Sequence, residues 1–180
     1  MEVELRARIN DSKNIISKLV SLGATKHGTK KIVDYYFGDI GLYSKIGHSF
    51  WIRLRVRGKK IELAYKGSTG KDGVYEEYEQ ELQDLDIAIS IFTKMGLTNE
   101  ITIEKERTSF RLNDISIEID DFGEKGVFIE AETISENDDK SKLYELFKKL
   151  GISRKDIFEK GYITLMLEEK NSLFSKWIKN

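Results

Sequence analysis

Rows of like charge at every second residue are the feature of this chain most suited to chemistry. Two of these rows are Glu77, Glu79 and Glu81, and Arg53, Arg55 and Arg57. On a β-strand such spacing places side chains on one face, about 6.6–6.8 Å apart, where flexible glutamates can share one hard cation. A face that only meets water usually mixes both signs, because neighbouring like charges repel. The rows therefore favour a functional face over a solvated one.

Further rows of the same kind follow other alternating segments. They are Glu2, Glu4, Arg6 and Arg8; Glu62 and Lys66; Lys105, Arg107 and Arg111; Glu118 and Asp120; and Glu130 and Glu132. If such strands curl so that their polar faces line a channel, carboxylates about 5 Å apart repel by about 3 kcal/mol per pair at an effective dielectric of about 20. Mg2+ or Mn2+ among the carboxylates and a chain of phosphates among the cations would remove that repulsion together.

Composition excludes several classes of protein. The 180 residues contain 30 Lys+Arg against 31 Asp+Glu, and this balance argues against a generally basic nucleic-acid binder, so no specific nucleic-acid partner is expected. The absence of cysteine excludes disulfide scaffolds, thiolate zinc sites and cysteine nucleophiles. The first eleven residues carry charge where a signal peptide needs an apolar stretch, and no apolar run is long enough to span a bilayer. We expect a cytoplasmic protein with no membrane partner.

The hydrophobic periodicity predicts one α+β domain over residues 1–180. Period-two alternation predicts eight strands, at 2–9, 32–37, 50–57, 60–66, 74–82, 101–112, 115–120 and 127–133. Helical stripes predict helices that begin near Asp11, Asp84 and Asp138 or Asp139 and end before Gly23, Gly96 and Gly151. A last helix is predicted at 168–179. Hairpin-joined strands point to an antiparallel sheet, curved or closed.

The charged rows also form motifs that resemble the CYTH family, the triphosphate tunnel metalloenzymes. Glu2-Val-Glu4-Leu-Arg6 is similar to the ExExK motif that opens these proteins, with Arg in place of Lys. The other matching segments are Asp34-Tyr-Tyr-Phe37, Ile52-Arg-Leu-Arg55, Leu63-Ala-Tyr-Lys66-Gly67, Glu77-Tyr-Glu79-Gln-Glu81, Glu104-Lys105-Glu-Arg107, Ile119-Asp120 and Phe128-Ile-Glu130-Ala-Glu132. Their order and spacing are most similar to the class IV adenylyl cyclase branch.

The resemblance implies a closed eight-stranded antiparallel β-barrel with helices packed outside, whose lumen binds a triphosphate and one or two divalent metals. The residues implied to bind triphosphate are Arg6, Arg8, Arg53, Arg55, Lys66, Lys105 and Arg107. The metal ligands implied are Glu2, Glu4, Glu79, Glu81, Asp120, Glu130 and Glu132. Among all of these, Glu2, Glu4, Lys66, Lys105 and Asp120 are implied to be catalytic. Arg8, Arg57 and Arg111 occupy less distinctive positions, and either ligand or solvent contact remains open for them.

The resemblance leaves the reaction open between alternatives. In a class IV adenylyl cyclase-like enzyme the ribose 3'-hydroxyl attacks and ATP gives cyclic AMP and pyrophosphate. In a triphosphatase water attacks, and the substrate is thiamine triphosphate, tripolyphosphate or a nucleoside triphosphate. A non-catalytic polyphosphate binder and a structural domain are further alternatives. Arg6 in place of Lys, Ser68 in place of the usual Pro and the unusual 123–128 turn bear on nucleotide specificity.

The remaining candidates concern residues outside the charged rows. No histidine base is expected, because His27 and His48 lie in turn-like stretches. Trp51, Tyr65 and Phe110 are interpreted as core residues on the faces opposite the charges. The role of Tyr162 is open. The expected partner is a small-molecule triphosphate, and a homodimer is possible.

Overall fold

A computed structural model describes residues 2–38, 50–69, 74–134 and 139–169 of the chain. The backbone divides into two compact units: Met1–Lys31 with Lys105–Glu159 (unit 1), and Ile32–Glu104 with Lys160–Asn180 (unit 2). The assignment of 1–180 to one domain stays a prediction.

The described residues form nine strands and four α-helices. The strands are β1 (Glu2–Ile9), β2 (Thr25–Gly38), β3 (Phe50–Arg57), β4 (Lys60–Ser68), β5 (Val74–Leu82), β6 (Thr98–Leu112), β7 (Ile115–Asp121), β8 (Val127–Ile134) and β9 (Ile157–Phe158). The helices are α1 (Ser12–Ser21), α2 (Leu85–Lys94), α3 (Ser141–Leu150) and α4 (Tyr162–Glu169). None of the helices in these described ranges is long and apolar enough to cross a membrane. A cytoplasmic location stays a prediction.

In unit 1 the strand order is β2-β6-β7-β8-β1-β9, and α3 packs on β1, β8 and α1. The apolar side chains of β1, Val3, Leu5 and Ala7, are fully buried, because strict alternation gives that strand one apolar face. Asp11 caps α1 as predicted, since its carboxylate accepts a hydrogen bond from the Asn14 amide at 3.0 Å. The core face of the sheet leaves the opposite, polar face for the charged rows.

In unit 2 the strand order is β5-β4-β3-β2-β6. Its core contains the buried Phe37, Leu54, Ala88 and Leu97, with partly buried side chains of α2 packed against them. The Asp84 carboxylate caps α2 by accepting a hydrogen bond from the Ile87 amide at 2.9 Å. Here too the apolar face of the strands packs on a helix, and the charged rows occupy the other face.

The antiparallel sheet with helices confirms the α+β class, but the prediction of a closed eight-stranded barrel is wrong. The sheet has nine strands and does not close into that barrel. The extra strand, β9, pairs with Arg6 and Ala7 at an edge of β1. Two residues cannot display a period of two, so alternation gives no signal for such a strand.

Other element boundaries differ from the predictions for similar reasons. β2 begins at Thr25 instead of Ile32 because 25–31 is polar on both faces and therefore shows no alternation. Helix α4 was not predicted, and most of the helix predicted at 168–179 lies outside the described residues.

Candidate active site

The polar face of unit 1 is built from four neighbouring strands, β1, β8, β7 and β6, whose residues align in cross-strand rows. The rows are Glu4, Glu132, Ser116 and Arg111; Arg6, Glu130, Glu118 and Ser109; and Arg8, Phe128, Asp120 and Arg107. Directly opposite side chains on one face of an antiparallel sheet lie about 4.5–5.5 Å apart at Cβ. Register therefore joins charges that are far apart in sequence into one surface.

Three predicted metal ligands meet at the first end of this face. Glu2, Glu4 and Glu132 each offer a carboxylate oxygen, and these oxygens lie within 4.8 Å of one another. Glu2 and Glu4 share a face by alternation, and Glu4 stands opposite Glu132 in the register. Oxygen donors in this number suit a hard divalent cation such as Mg2+ or Mn2+. The donor set therefore fits the metal that the family resemblance implies.

Arg6 occupies the next row and bridges two of the predicted metal carboxylates. Its Nη2 lies 2.7 Å from Glu4 Oε1, and its Nε donates to Glu130 Oε2 at 2.7 Å. All three side chains are buried. A buried charge is tolerated only when it is paired, so each of these groups stabilises the position of the others.

Asp120 holds two of the predicted phosphate-binding cations. Arg107 donates to Oδ1 from Nε and to Oδ2 from Nη2, both at 2.6 Å, and Lys105 Nζ donates to Oδ2 at 2.9 Å. Burial by itself would raise the pKa of Asp120, but Arg107 and Lys105 outweigh it and hold that pKa below its ordinary value. Asp120 is thus an ionised anchor for both cations.

Arg8, a predicted phosphate ligand, lies at the opposite end from the three glutamates. It is exposed, its Nη2 donates to the Lys125 carbonyl at 3.0 Å, and its guanidinium carbon lies 5.6 Å from the centre of the Phe128 ring. A Cβ on Gly126, which has φ +102°, would come within 2.7 Å of Nη2. These contacts hold Arg8 against the turn between β7 and β8.

The polar face of unit 2 also consists of cross-strand rows, formed by β2, β3, β4 and β5. The rows are Trp51, Lys66 and Glu77; Tyr36, Arg53, Ala64 and Glu79; and Asp34, Arg55, Glu62 and Glu81. Glu62 and Glu81 stand directly opposite each other. Each predicted phosphate-binding residue here nevertheless has a carboxylate nearby.

Arg55 and Arg53 of unit 2 differ in how their ion pairs are arranged. Arg55 donates to Asp34 through two parallel hydrogen bonds of 2.7 and 2.9 Å, and both side chains are buried. Arg53 Nη2 lies 3.0 Å from Glu79 and 3.3 Å from Glu77. The two-point contact fixes the guanidinium of Arg55 in one plane.

The remaining predicted residues of unit 2 are Lys66, Arg57, Glu79 and Glu81. Lys66 Nζ is 3.4 Å from Glu77, whereas Glu81 is exposed and pairs with Lys60 at 3.2 Å. Arg57 pairs with Glu62. Burial raises the pKa of Glu79, and Glu62 and Glu77 add to this effect. Glu81 therefore lies apart from the cations that the resemblance assigns to phosphate.

Trp51 lies on the charged face, and the interpretation of it as a residue opposite the charges was wrong. It shares alternation with Arg53 and stands opposite Lys66, and its ring meets Tyr36 edge to face with centroids 6.4 Å apart. The residues of β3 that do face the core are the even-numbered ones, such as Leu54. Tyr65 stacks on Phe50 and Phe110 is buried, as expected for core residues.

Several acidic residues and one tyrosine lie on the charged faces although no ligand role was predicted for them. They are Asp34, Glu62, Glu77, Glu118 and Tyr36. Period-two spacing already placed Glu62, Glu77 and Glu118 in charged rows, and this signal could have found them. The remaining open residues are peripheral or buried: Arg111 is exposed and bonds Ser116 and Asn113, His27 is exposed, Tyr162 is buried, and His48 lies outside the described residues.

Comparison with known proteins agrees with this fold. The family model of the CYTH domain matches residues 1–162. The chain therefore belongs to the CYTH family, and the prediction of this family is confirmed.

Individual relatives cover nearly the whole chain. A protein of Methanocaldococcus jannaschii that carries the provisional name adenylate cyclase is 30% identical over 172 residues, or 92% of this chain and 98% of that protein. A solved structure from Pyrococcus horikoshii OT3 is 28% identical, with a TM-score of 0.81, and covers 92% of this chain and 99% of that chain. A Hippeastrum structure, provisionally named an adenylyl cyclase and described as having a dominant triphosphatase activity, is 17% identical with a TM-score of 0.64 over 96% of this chain and 97% of that chain, and shows the fold alone.

Glu118 provides a test of the electrostatics of unit 1. Burial raises its pKa, and Asp120 and Glu130 act in the same direction against Arg107 and Ser109. A folded-state pKa above the unfolded value means that ionised Glu118 destabilises the fold at neutral pH, and that this effect disappears as the pH falls below about 4. We expect Glu118→Gln to raise the melting temperature by a few degrees at pH 7 and to match wild type near pH 3.5.

Thermal melts across this pH range would measure the difference. Glu124→Gln is the matched control, since it makes the same charge change at an exposed position of unit 1. A lower melting temperature of Glu118→Gln at pH 7 would contradict the assignment.

Proposed function

We propose that this protein is a metal-dependent enzyme acting on triphosphates, and that it converts ATP to cyclic AMP and pyrophosphate in the manner of class IV adenylyl cyclases. One observation carries the proposal: three carboxylates converge at one end of a polar face whose further rows hold Arg6 and Arg107, with Lys105 hydrogen-bonded to Asp120. A binder of polyanions would need only the cations. The relative from Methanocaldococcus jannaschii bears an adenylate cyclase name, which supports this choice.

In this proposal Glu2, Glu4 and Glu132 hold Mg2+ or Mn2+. When bound, the metal would neutralise phosphate charge and lower the pKa of the attacking hydroxyl. Arg6 lies beside Glu4 at 2.7 Å, which puts a cation next to the metal carboxylates for an adjoining phosphate. Glu130 orients Arg6 through its 2.7 Å hydrogen bond. Positioning and electrostatics then supply the rate enhancement.

On the face of unit 1, Lys105 and Arg107 are proposed to bind other phosphate oxygens, and on the face of unit 2, Lys66 and Arg53 are proposed as phosphate ligands in their own right. Lys105 and Arg107 are held by Asp120, and Lys66 and Arg53 are held by Glu77. Because ion pairs hold these side chains in place, little ordering entropy would be lost when phosphate binds. Arg55 is committed to Asp34 through two hydrogen bonds and is proposed to support its neighbours on β3.

A triphosphatase is the second candidate, because it would use the same charges with water as the nucleophile. The aromatic pair Tyr36 and Trp51 beside Lys66 favours a triphosphate with an organic group, such as ATP or thiamine triphosphate, over tripolyphosphate. Incubation with each of the three compounds in Mg2+ or Mn2+, with separation of cyclic AMP from orthophosphate, distinguishes the reactions. If neither product forms from any triphosphate, the proposal of an enzyme fails.

The lysine opposite Trp51 provides a residue-level test of triphosphate turnover. We expect Lys66→Ala to reduce kcat/KM for the preferred triphosphate by about 10²–10³-fold, since it removes a positioned charge from the transferring phosphates. Lys60→Ala is the matched control, because Lys60 lies on the same strand but is exposed and pairs with Glu81. Equal losses in the two variants, measured by initial rates, would contradict a phosphate-binding role for Lys66.

The proposed contact between Trp51 and the organic group of the substrate provides a second residue-level test. We expect Trp51→Leu to raise KM for ATP or thiamine triphosphate by about tenfold, because aromatic stacking on a base contributes about 1–3 kcal/mol. Activity toward tripolyphosphate, which has no ring, should change little. Trp51 is buried, so the melting temperature is measured alongside to identify a general loss of fold. Equal loss on all three substrates without a loss of fold would exclude the stacking role.

A further inference from the structure

We infer that Asp120 is a positioning residue for Lys105 and Arg107 and not a metal ligand, although the family motif implies a metal ligand there. This inference rests on the proposed function, because it concerns how the same site divides its carboxylates. Both Asp120 oxygens accept hydrogen bonds from the two cations, three in all, at 2.6–2.9 Å. The residue is 0% exposed.

The geometry separates two carboxylate groups in unit 1. Glu2, Glu4 and Glu132 converge within 4.8 Å, whereas Asp120 is two rows further along the face, in the row of Phe128 and Arg107. A carboxylate that exchanged its cations for a metal would leave Lys105 and Arg107 with a buried charge to be compensated elsewhere. Every buried charge stays paired if Asp120 keeps its two cations and the metal binds Glu2, Glu4 and Glu132.

The contact between Phe122 and Lys105 also supports a positioning role for Asp120. The Lys105 ammonium lies 5.5 Å from the centre of the Phe122 ring, so an aromatic face and a carboxylate together orient this cation. Lys105 is therefore held at a fixed place on the face before any ligand arrives, and Asp120 is the group that sets its direction.

Asp120→Asn tests the assignment with two binding measurements. Removing the carboxylate charge leaves Lys105 and Arg107 without their acidic competitor for phosphate. Metal-free tripolyphosphate should therefore bind about tenfold more tightly, as measured by titration calorimetry. The affinity for Mn2+ alone, measured by electron paramagnetic resonance, should stay within about twofold of wild type. A metal ligand would instead lose Mn2+ affinity by about tenfold or more, and that result would overturn the inference.

Matched variants separate the possible outcomes. Glu132→Gln should lose Mn2+ affinity, and Glu106→Gln, an equal charge change at an exposed position between Lys105 and Arg107, should change neither measurement. If Asp120→Asn does not fold, Asp120→Glu keeps the charge but displaces the cations, and should lower kcat with unchanged Mn2+ affinity; weaker Mn2+ binding by that variant would overturn the inference. If wild type binds Mn2+ and tripolyphosphate but turns over no triphosphate, the proposed enzyme fails while the division of carboxylates stands.

An independent feature, an apolar stripe on α2, carries a second proposal. Ile87, Ile91 and Met95 recur at four-residue spacing and are 59%, 51% and 70% exposed. The opposite side of this helix packs Leu85 and Ile89 against the core of unit 2. A contiguous exposed apolar stripe on a helix is a candidate interaction surface.

We propose that this stripe packs against α2 of a second copy in an antiparallel pair. Asp84 caps the start of α2 and Lys94 lies in its last turn. A two-fold axis at the level of Ile89 brings Asp84 of each copy level with Lys94 of the other, and Ile87 level with Ile91. A parallel pair would place like charges together. Because three side chains fall short of the roughly 1,200 Å² of a standard interface, the dimer should be weak and concentration-dependent.

Sedimentation velocity of the full chain over about a hundredfold range of concentration tests this surface. Wild type should shift from monomer toward dimer, and Ile91→Glu and Lys94→Glu should each reduce the shift. Ile134→Glu is the control, since Ile134 is 77% exposed on β8. A wild type that stays monomeric would overturn the proposal, whether its stripe is covered by another segment of the chain or by a different protein. Dimerisation that is unchanged in Ile91→Glu would also overturn it.

Discussion

Compensation of buried charge is the constraint on which both sheet faces depend. Asp120 shows it most directly, because it has no exposed surface and yet remains ionised between Lys105 and Arg107. A carboxylate in that position without its cations would be neutral or would destabilise the fold by several kcal/mol. The identity of the residues on β6 and β7 is therefore linked, and the same linkage holds Arg6 between Glu4 and Glu130 on the neighbouring strands.

This constraint explains how a site rich in cations can exist before its ligand binds. Each cation on the described faces that the family resemblance assigns to phosphate, apart from the exposed Arg8, lies beside at least one carboxylate. Each face is therefore preorganised, with its cations paired to carboxylates before any ligand binds. A polyanion must therefore compete with acidic side chains, and a metal at Glu2, Glu4 and Glu132 would reduce that competition. Metal and triphosphate are expected to bind better together than apart.

Much of the fold and of the charged faces was predictable because both depend on short-range periodicity. Alternation identified β1, β3, β5 and β7 closely, and helix caps identified Asp11 and Asp84. It failed where the period was absent or was assigned to the wrong face: the two-residue β9, the uniformly polar start of β2, and Trp51. The closed eight-stranded barrel came from the resemblance, and the nine-stranded sheet departs from it.

By itself, the amino-acid sequence determined the CYTH family, the strands and which residues of each strand carry charge, because these properties repeat every two residues. Only the tertiary structure decided which charges are partners. Glu4 and Glu132 are 128 positions apart and Arg107 and Asp120 are on different strands, so their pairing depends on cross-strand register. Register follows from the packing of the apolar face and the turn geometry over the whole sheet. The motif therefore groups Asp120 with the metal ligands, and only the register reveals its hydrogen bonds with Lys105 and Arg107.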